Sequence, residues 1–238
     1  MKLKKIASLA LAGVMAVSML TACGEANNTD DTQKPTEPDV TPAAGYSATF
    51  EGRLSALAAS NIDMSDSADL NAALKAAMDF AADSHIAFDY GINYNDTVNF
   101  VASTKNGTDL NQVAIELISK ADTDKESMGK VDAKDTLEVL NPLTKDVAYG
   151  KDNVDVVMLY VVDGGLSTDA AVMEVADKVN SEIEKLVKTY NTATTDAATH
   201  EVDYNYTGSV SADTITLDAD HGKSMTFVAV EVVRHLGR

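Results

Sequence analysis

From Tyr46 onward the apolar positions follow distinct periods, and each period predicts an element. Phe50, Leu54, Leu57 and Ala58 recur at helical spacing, which predicts a first helix over 48–59. Leu70, Ala73, Leu74, Ala77, Met78 and Ala81 form the stripe of an alanine-rich second helix. Ser65 or Ser67 stands where its cap belongs, and Asp69 falls in the first turn, where the helix dipole favours an acid. The period then drops to two. Ile86, Phe88, Tyr90, Ile92 and Tyr94 alternate with Ala87, Asp89, Gly91, Asn93 and Asn95, the mark of a half-buried strand. Asn95-Asp96 turns the chain, and Val98, Phe100 and Ala102 complete a hairpin. Asp109 with Gln112 resembles a capping box ahead of the stripe Leu110, Val113, Ala114, Leu117 and Ile118.

Residues 122–153 carry charge and Pro142 but no sustained period, so a seam between two halves fits there. Val154 to Val162 is a continuous apolar run rich in β-branched residues, which predicts a strand buried on both faces. Asp163-Gly164-Gly165 turns, and Ser167 or Thr168 caps the longest helix, with a stripe running from Val172 to Tyr190. A polar loop is expected over 191–199. Strands are expected at Val202–Tyr206, Thr214–Asp218 and Met225–Val233, with a turn at Asp220-His221-Gly222. Antiparallel hairpins with segregated helices predict an α+β fold: a mainly antiparallel sheet with helices packed on one side, in an order compatible with two similar halves.

The first 45 residues differ in kind. Lys2, Lys4 and Lys5 precede the apolar stretch Ile6–Leu20, and Leu20-Thr21-Ala22-Cys23 comes at once after it. A charged start, a short apolar core and a small-residue site describe an export signal, and the core is too short to span a bilayer comfortably. The four residues ending at Cys23 resemble the lipobox of bacterial membrane-anchored lipoproteins. The resemblance implies that residues 1–23 are a lipoprotein signal region, cut ahead of Cys23, which receives a diacylglycerol and becomes the mature N-terminus. It also implies a cell-envelope location, with the chain held to the extracytoplasmic face of a membrane by its lipid (palmitate among the acyl chains). Two acyl chains suffice for stable anchoring. Cys23 is the only cysteine, which excludes an internal disulfide. Residues 24–45 hold Pro35, Pro38 and Pro42 among acids, Thr and Asn, the composition of a disordered tether. Residues 46–238 form the α+β domain.

Charge narrows the partners. The formal net charge is −18, near −21 once the three leader lysines are gone. Such a body has no basic surface for nucleic acid. It is repelled by anionic lipid headgroups, so the lipid on Cys23 is the expected membrane contact.

The candidate chemistry is sparse. Asp218, Asp220 and His221, with Lys223 behind them, are the densest polar group and supply oxygens of the kind calcium takes; the same residues make a solvated hairpin turn. No acid stands where an EF-hand loop needs its bidentate glutamate. His85, His200, His221 and His235 are scattered and match no zinc spacing. The turn Asp163–Ser167 ahead of a helix has the form of an anion site, but Asp163 and Asp169 make it negative. Glu201, Asp203 and Asn205 on one strand, and Asp89, Asn93 and Asn95 on another, offer carboxylates of the sort glycosidases pair. Tyr90, Tyr94, Tyr204 and Tyr206 suit a groove or a core. There is no GxSxG elbow and no catalytic motif. The expectation is a lipid-anchored binding or interaction protein with an unknown protein or small-molecule ligand. An envelope hydrolase using carboxylates or a bound cation, and a solute receptor of a transporter, are the alternatives.

Overall fold

The computed structural model describes residues 45–86, 92–93, 95–103, 109–121, 143, 153–193, 199–217 and 223–237. The lipobox, most of the tether, Asp89, Tyr90, Tyr94, most of the 122–153 seam, and Asp218, Asp220 and His221 lie outside them.

Helix α1 covers Ser47–Arg53 and α2 covers Ala56–Asn61. They replace the single helix expected over 48–59. Leu54 and Ser55 are extended between them, because Ser55 is held from outside. Its N–H donates to Asn180 Oδ1 at 2.8 Å, its hydroxyl donates to Glu184 Oε1 at 2.6 Å, and the same Oγ accepts from Ala58 N. Tertiary capping thus overrides helical periodicity. Strand β1 is the short Asp63–Met64. Helix α3, Ala68–Asp83, starts where Ser67 Oγ accepts from Leu70 N, and it buries all six residues of its apolar stripe.

Strand β2 is Val98–Val101 and helix α4 is Asp109–Lys120. Strand β3, Asn153–Asp163, leads through a tight turn to α5, Thr168–Ile183, capped by Ser167 Oγ on Ala170 N. The stripe predicted α5 to continue to Tyr190. It stops at Ile183, where Asn61 Nδ2 donates to the carbonyls of Ile183 and Glu184 at 3.1 Å each. Strand β4, Thr189–Ala193, then takes the place of the first part of the expected polar loop. Strand β5 is a single element, Thr199–Leu217, where two short strands were expected, and β6 is Lys223–Leu236.

The sheet order is β1-β5-β6-β3-β2, with β4 also on β5. Among the described strands only β1 runs parallel to its neighbour; every other pairing is antiparallel. The architecture is therefore α+β with a mainly antiparallel sheet. Strands from before and after 122–153 belong to this one sheet, since β2 pairs with β3 and β1 with β5.

Burial decides the layering. On β3, residues 154–162 are buried irrespective of parity, as the unbroken apolar run predicts. On β6, Met225 to Val230 are buried likewise. Fully burying such a side chain is worth roughly 1.5–3 kcal/mol, so both faces contribute to the core. One face, containing Tyr160, Thr214 and Thr226, meets α5: Thr168 Oγ1 lies 3.4 Å from Thr214 Oγ1, which lies 2.8 Å from Thr226 Oγ1. Helices α1 and α2 pack on α5 there, and Arg53 forms a paired contact with Asp177. Helices α3 and α4 pack on each other, α3 also on β5 and β6 and α4 on β2 and β3, and residues of the other parity, such as Leu159 and Phe227, are buried as well. The expected helical cover on one side is present, and the two-sided burial of β3 is met by cover on the other.

Candidate functional site

Three features of the described body carry polar chemistry: a cleft at one end of the sheet, a buried arginine at the other, and the outer margin of β5.

The cleft lies where β2 begins and β3 ends. Its volume is about 340 Å³, within the range of small-ligand sites. Ile92, Val161, Val162, Leu166 and Met225 give it apolar walls; Asn95, Asp96, Thr97, Asn99 and Asp163 give it polar ones. The polar wall is held in place by its own hydrogen bonds. Asn93 N donates to Asn99 Oδ1 at 2.7 Å, Asn93 Nδ2 to Asp96 Oδ2 at 2.8 Å, and Asn99 Nδ2 to the Asp96 carbonyl at 3.2 Å. The opposite lip is the turn after β3. Gly164 N donates to the Ser224 carbonyl at 3.0 Å, and Gly165 N donates to Asp163 Oδ1 at 2.7 Å. A Cβ on Gly164 would collide with the Ser224 backbone, so only glycine lets the turn approach β6 this closely. Because Asp163 takes the Gly165 N–H, this turn is closed by its own carboxylate and offers that donor to no anion.

At the other end Arg234 is 2 % exposed. Its guanidinium sits 4.6 Å from the Tyr204 ring centroid, and Nη1 donates to the Leu143 carbonyl at 2.8 Å. Tyr206 Oη donates to the Val187 carbonyl at 2.7 Å and lies 3.4 Å from the Leu143 carbonyl. Burial holds Arg234 below its ordinary value, against the pull of the two tyrosines. Burial pushes Tyr206 up to about 12, opposed by Arg234. Tyr160, buried in the middle of the sheet, is raised further, first by burial and then by Glu182.

Tyr204 and Tyr206 thus belong to the core. Asp203 is exposed and accepts from Thr189 Oγ1 at 3.3 Å. On the sheet face opposite Arg234, Ser209 Oγ donates to Glu231 Oε2 at 2.7 Å, and Thr207 Oγ1 lies 2.8 Å from His235 Nε2. His85, two residues past the end of α3, has a φ of 51°, its ring 3.1 Å from the Asp83 carbonyl. Among the described residues no group of three or more His, Cys, Asp or Glu is placed to hold a metal, and no helix is long and apolar enough to cross a membrane. Sequence reasoning placed Asn95-Asp96 in a turn and Met225 in a strand but did not bring them together. It left Arg234 unnoticed, although a lone arginine closing an apolar strand is itself a signal that it needs partners.

Along β5 the outer edge is used twice, by β4 at 199–203 and by β1 at 207–208. Beyond these, the Ser47 hydroxyl accepts from Val210 N at 3.0 Å and donates to the Ser65 carbonyl at 3.0 Å. No family model matches the chain, and neither a curated protein nor a solved structure is similar to it.

Proposed function

We propose that the protein is a lipid-anchored, extracytoplasmic binding protein of the bacterial cell envelope. Its acyl chains sit on Cys23, residues 24–45 serve as tether, and the α+β body carries the binding surface. The leader and Leu20-Thr21-Ala22-Cys23 support the anchoring. The observation that carries binding is the cleft between β2, β3 and the Asp163–Leu166 turn. It joins apolar walls to amide and carboxylate groups that are already fixed by hydrogen bonds, so little ordering is needed when a ligand enters. A solute receptor with two comparable lobes is the weaker reading, because one sheet gathers strands from both sides of 122–153.

Two measurements test the proposal. In a bacterial host fed labelled palmitate, the full chain incorporates label and sediments with membranes, and Cys23→Ala does neither; label retained by the variant overturns the anchor. A ligand that binds only the folded body raises its melting temperature by mass action. Screened against sugars, amino acids, peptides and calcium, the full chain in detergent shows a shift that Gly164→Ala diminishes. A shift with calcium alone, unchanged in Gly164→Ala, moves the site to Asp218, Asp220 and His221.

A further inference from the structure

We infer that the outer edge of β5 over Ala212–Thr216 receives an extended, lysine- or arginine-bearing segment of another protein as an added strand. The observation is independent of the cleft. The β5–β6 register runs unbroken from Tyr204↔Leu236 to Leu217↔Lys223. Backbone groups on an antiparallel strand therefore alternate strictly between its two neighbours. Gly208 sends its carbonyl outward to Ser65 N, and Val210 sends its N–H outward to Ser47. By the same alternation Ala212, Thr214 and Thr216 present N–H and C=O outward. Among the described residues only one of these groups has a partner: Thr214 N donates to the carboxylate of its own neighbour Asp213 at 2.8 Å. Asp213, Thr214 and Thr216 are exposed. The open rail is roughly 14 Å long, enough for a four- or five-residue strand.

Charge selects the occupant. Asp213 lies on the rail, and Asp169 lies in the first turn of α5 beside Thr168, which contacts Thr214. The nearest described cation on β6, Lys223, is set back at the hairpin end opposite Leu217. Two copies of a chain at −18 repel, which disfavours edge-to-edge pairing with itself. Asp213 also acts as a guard. While its carboxylate holds Thr214 N–H, a neutral strand finds the middle donor taken, one of the ways proteins blunt an edge. A cationic side chain alongside draws the carboxylate off and frees the N–H for the incoming carbonyl. Docking by strand addition then becomes selective for basic segments.

The test uses the full chain in detergent and two labelled synthetic peptides, one alternating lysine with valine and one alternating glutamate with valine. The lysine peptide binds and protects the amides of 212–216 from hydrogen exchange; the glutamate peptide does not bind. Thr216→Pro removes an outward donor, leaves the backbone bonds of the β5–β6 ladder in place at the loss of the Thr216 Oγ1–Ser224 Oγ contact, and weakens the lysine peptide about tenfold. Asp213→Asn, which keeps the acceptor but not the charge, weakens it and flattens its salt dependence. Asp213→Ala binds both peptides alike. Should Thr216→Pro lower the melting temperature, a lysine peptide methylated on alternate backbone amides replaces it and fails to bind. Absence of lysine-peptide binding, equal binding of both peptides to the unmodified chain, or indifference to the proline and to methylation each overturns the inference. So does concentration-dependent dimerisation that Thr216→Pro abolishes, which would assign the edge to a second copy.

Discussion

The guanidinium of Arg234 stacks on the ring of Tyr204 at 4.6 Å while its Nη1 holds the carbonyl of Leu143, so one buried cation ties two elements together. Removing it strips the ring of its cation and, among the described residues, leaves the Leu143 carbonyl with the long contact from Tyr206. Arg234→Met is expected to destabilise the fold by about 3 kcal/mol, read as a lower denaturant midpoint. Arg234→Lys recovers only part of this, because an ammonium lacks the planar fork.

Tyr206 sets an alkaline limit. Its folded value is raised to about 12 from an ordinary 10.0, first by burial. The folded state therefore keeps the proton more tightly than the unfolded chain. Its contribution is whole below the unfolded value and is lost as pH rises through the window between the two. Denaturation followed across that window should show stability falling with pH. Tyr206→Phe lowers stability at neutral pH by about 1 kcal/mol through the lost bond to Val187 and makes the alkaline fall shallower.

Ser47 joins α1 to the sheet by accepting from Val210 N and donating to the Ser65 carbonyl. Ser47→Ala leaves a buried N–H without its acceptor and should cost about 1–3 kcal/mol. By contrast Ser67→Ala and Ser167→Ala each remove a helix cap and should cost about 1 kcal/mol. Chemical denaturation of the three variants ranks them.

Gly208 is a test of close approach. A Cβ there would stand 2.5 Å from Met64 Sδ and 2.7 Å from Ile62 Cδ1. Gly208→Ala forces the side-chain ends of Met64 and Ile62 to give way and loosens β1 on β5, at a cost of about 1 kcal/mol for overpacking. Hydrogen exchange at Ser65 N, which donates to the Gly208 carbonyl, should rise well before that of the β3–β6 ladder.

Much of this fold is legible where local and tertiary demands agree. The α3 stripe and the two-sided burial of β3 read directly from residue pattern, which also narrows each cap to a pair, Ser65 or Ser67 and Ser167 or Thr168, of which the structure uses Ser67 and Ser167. Where pattern and structure part, the cause is a long-range partner. Residue pattern divides β5 because the apolar alternation lapses between Tyr206 and Thr214, where Ile62 and Met64 crowd Gly208 and Ser209 donates to Glu231. The same pattern makes α5 too long because its stripe continues past Ile183, whereas Asn61, more than a hundred residues earlier, caps it. The cleft is invisible in sequence for the same reason: its two lips come from Asn95–Asn99 and Asp163–Leu166, and only the sheet register brings them together.

Strand order also governs when the molecule can fold. β6 lies between β5 and β3, yet it is the last of the described strands to be synthesised. Without it β5 with its partners β1 and β4, and β3 with β2, are separate fragments, each lacking an inner neighbour. Emergence of Lys223–Leu236 is thus the event that closes the core; its pairing with β5 is a local hairpin, but its pairing with β3 joins residues distant in sequence, which slows nucleation. Until β6 is available, the apolar faces of β3 and β5 have no shared neighbour to close against.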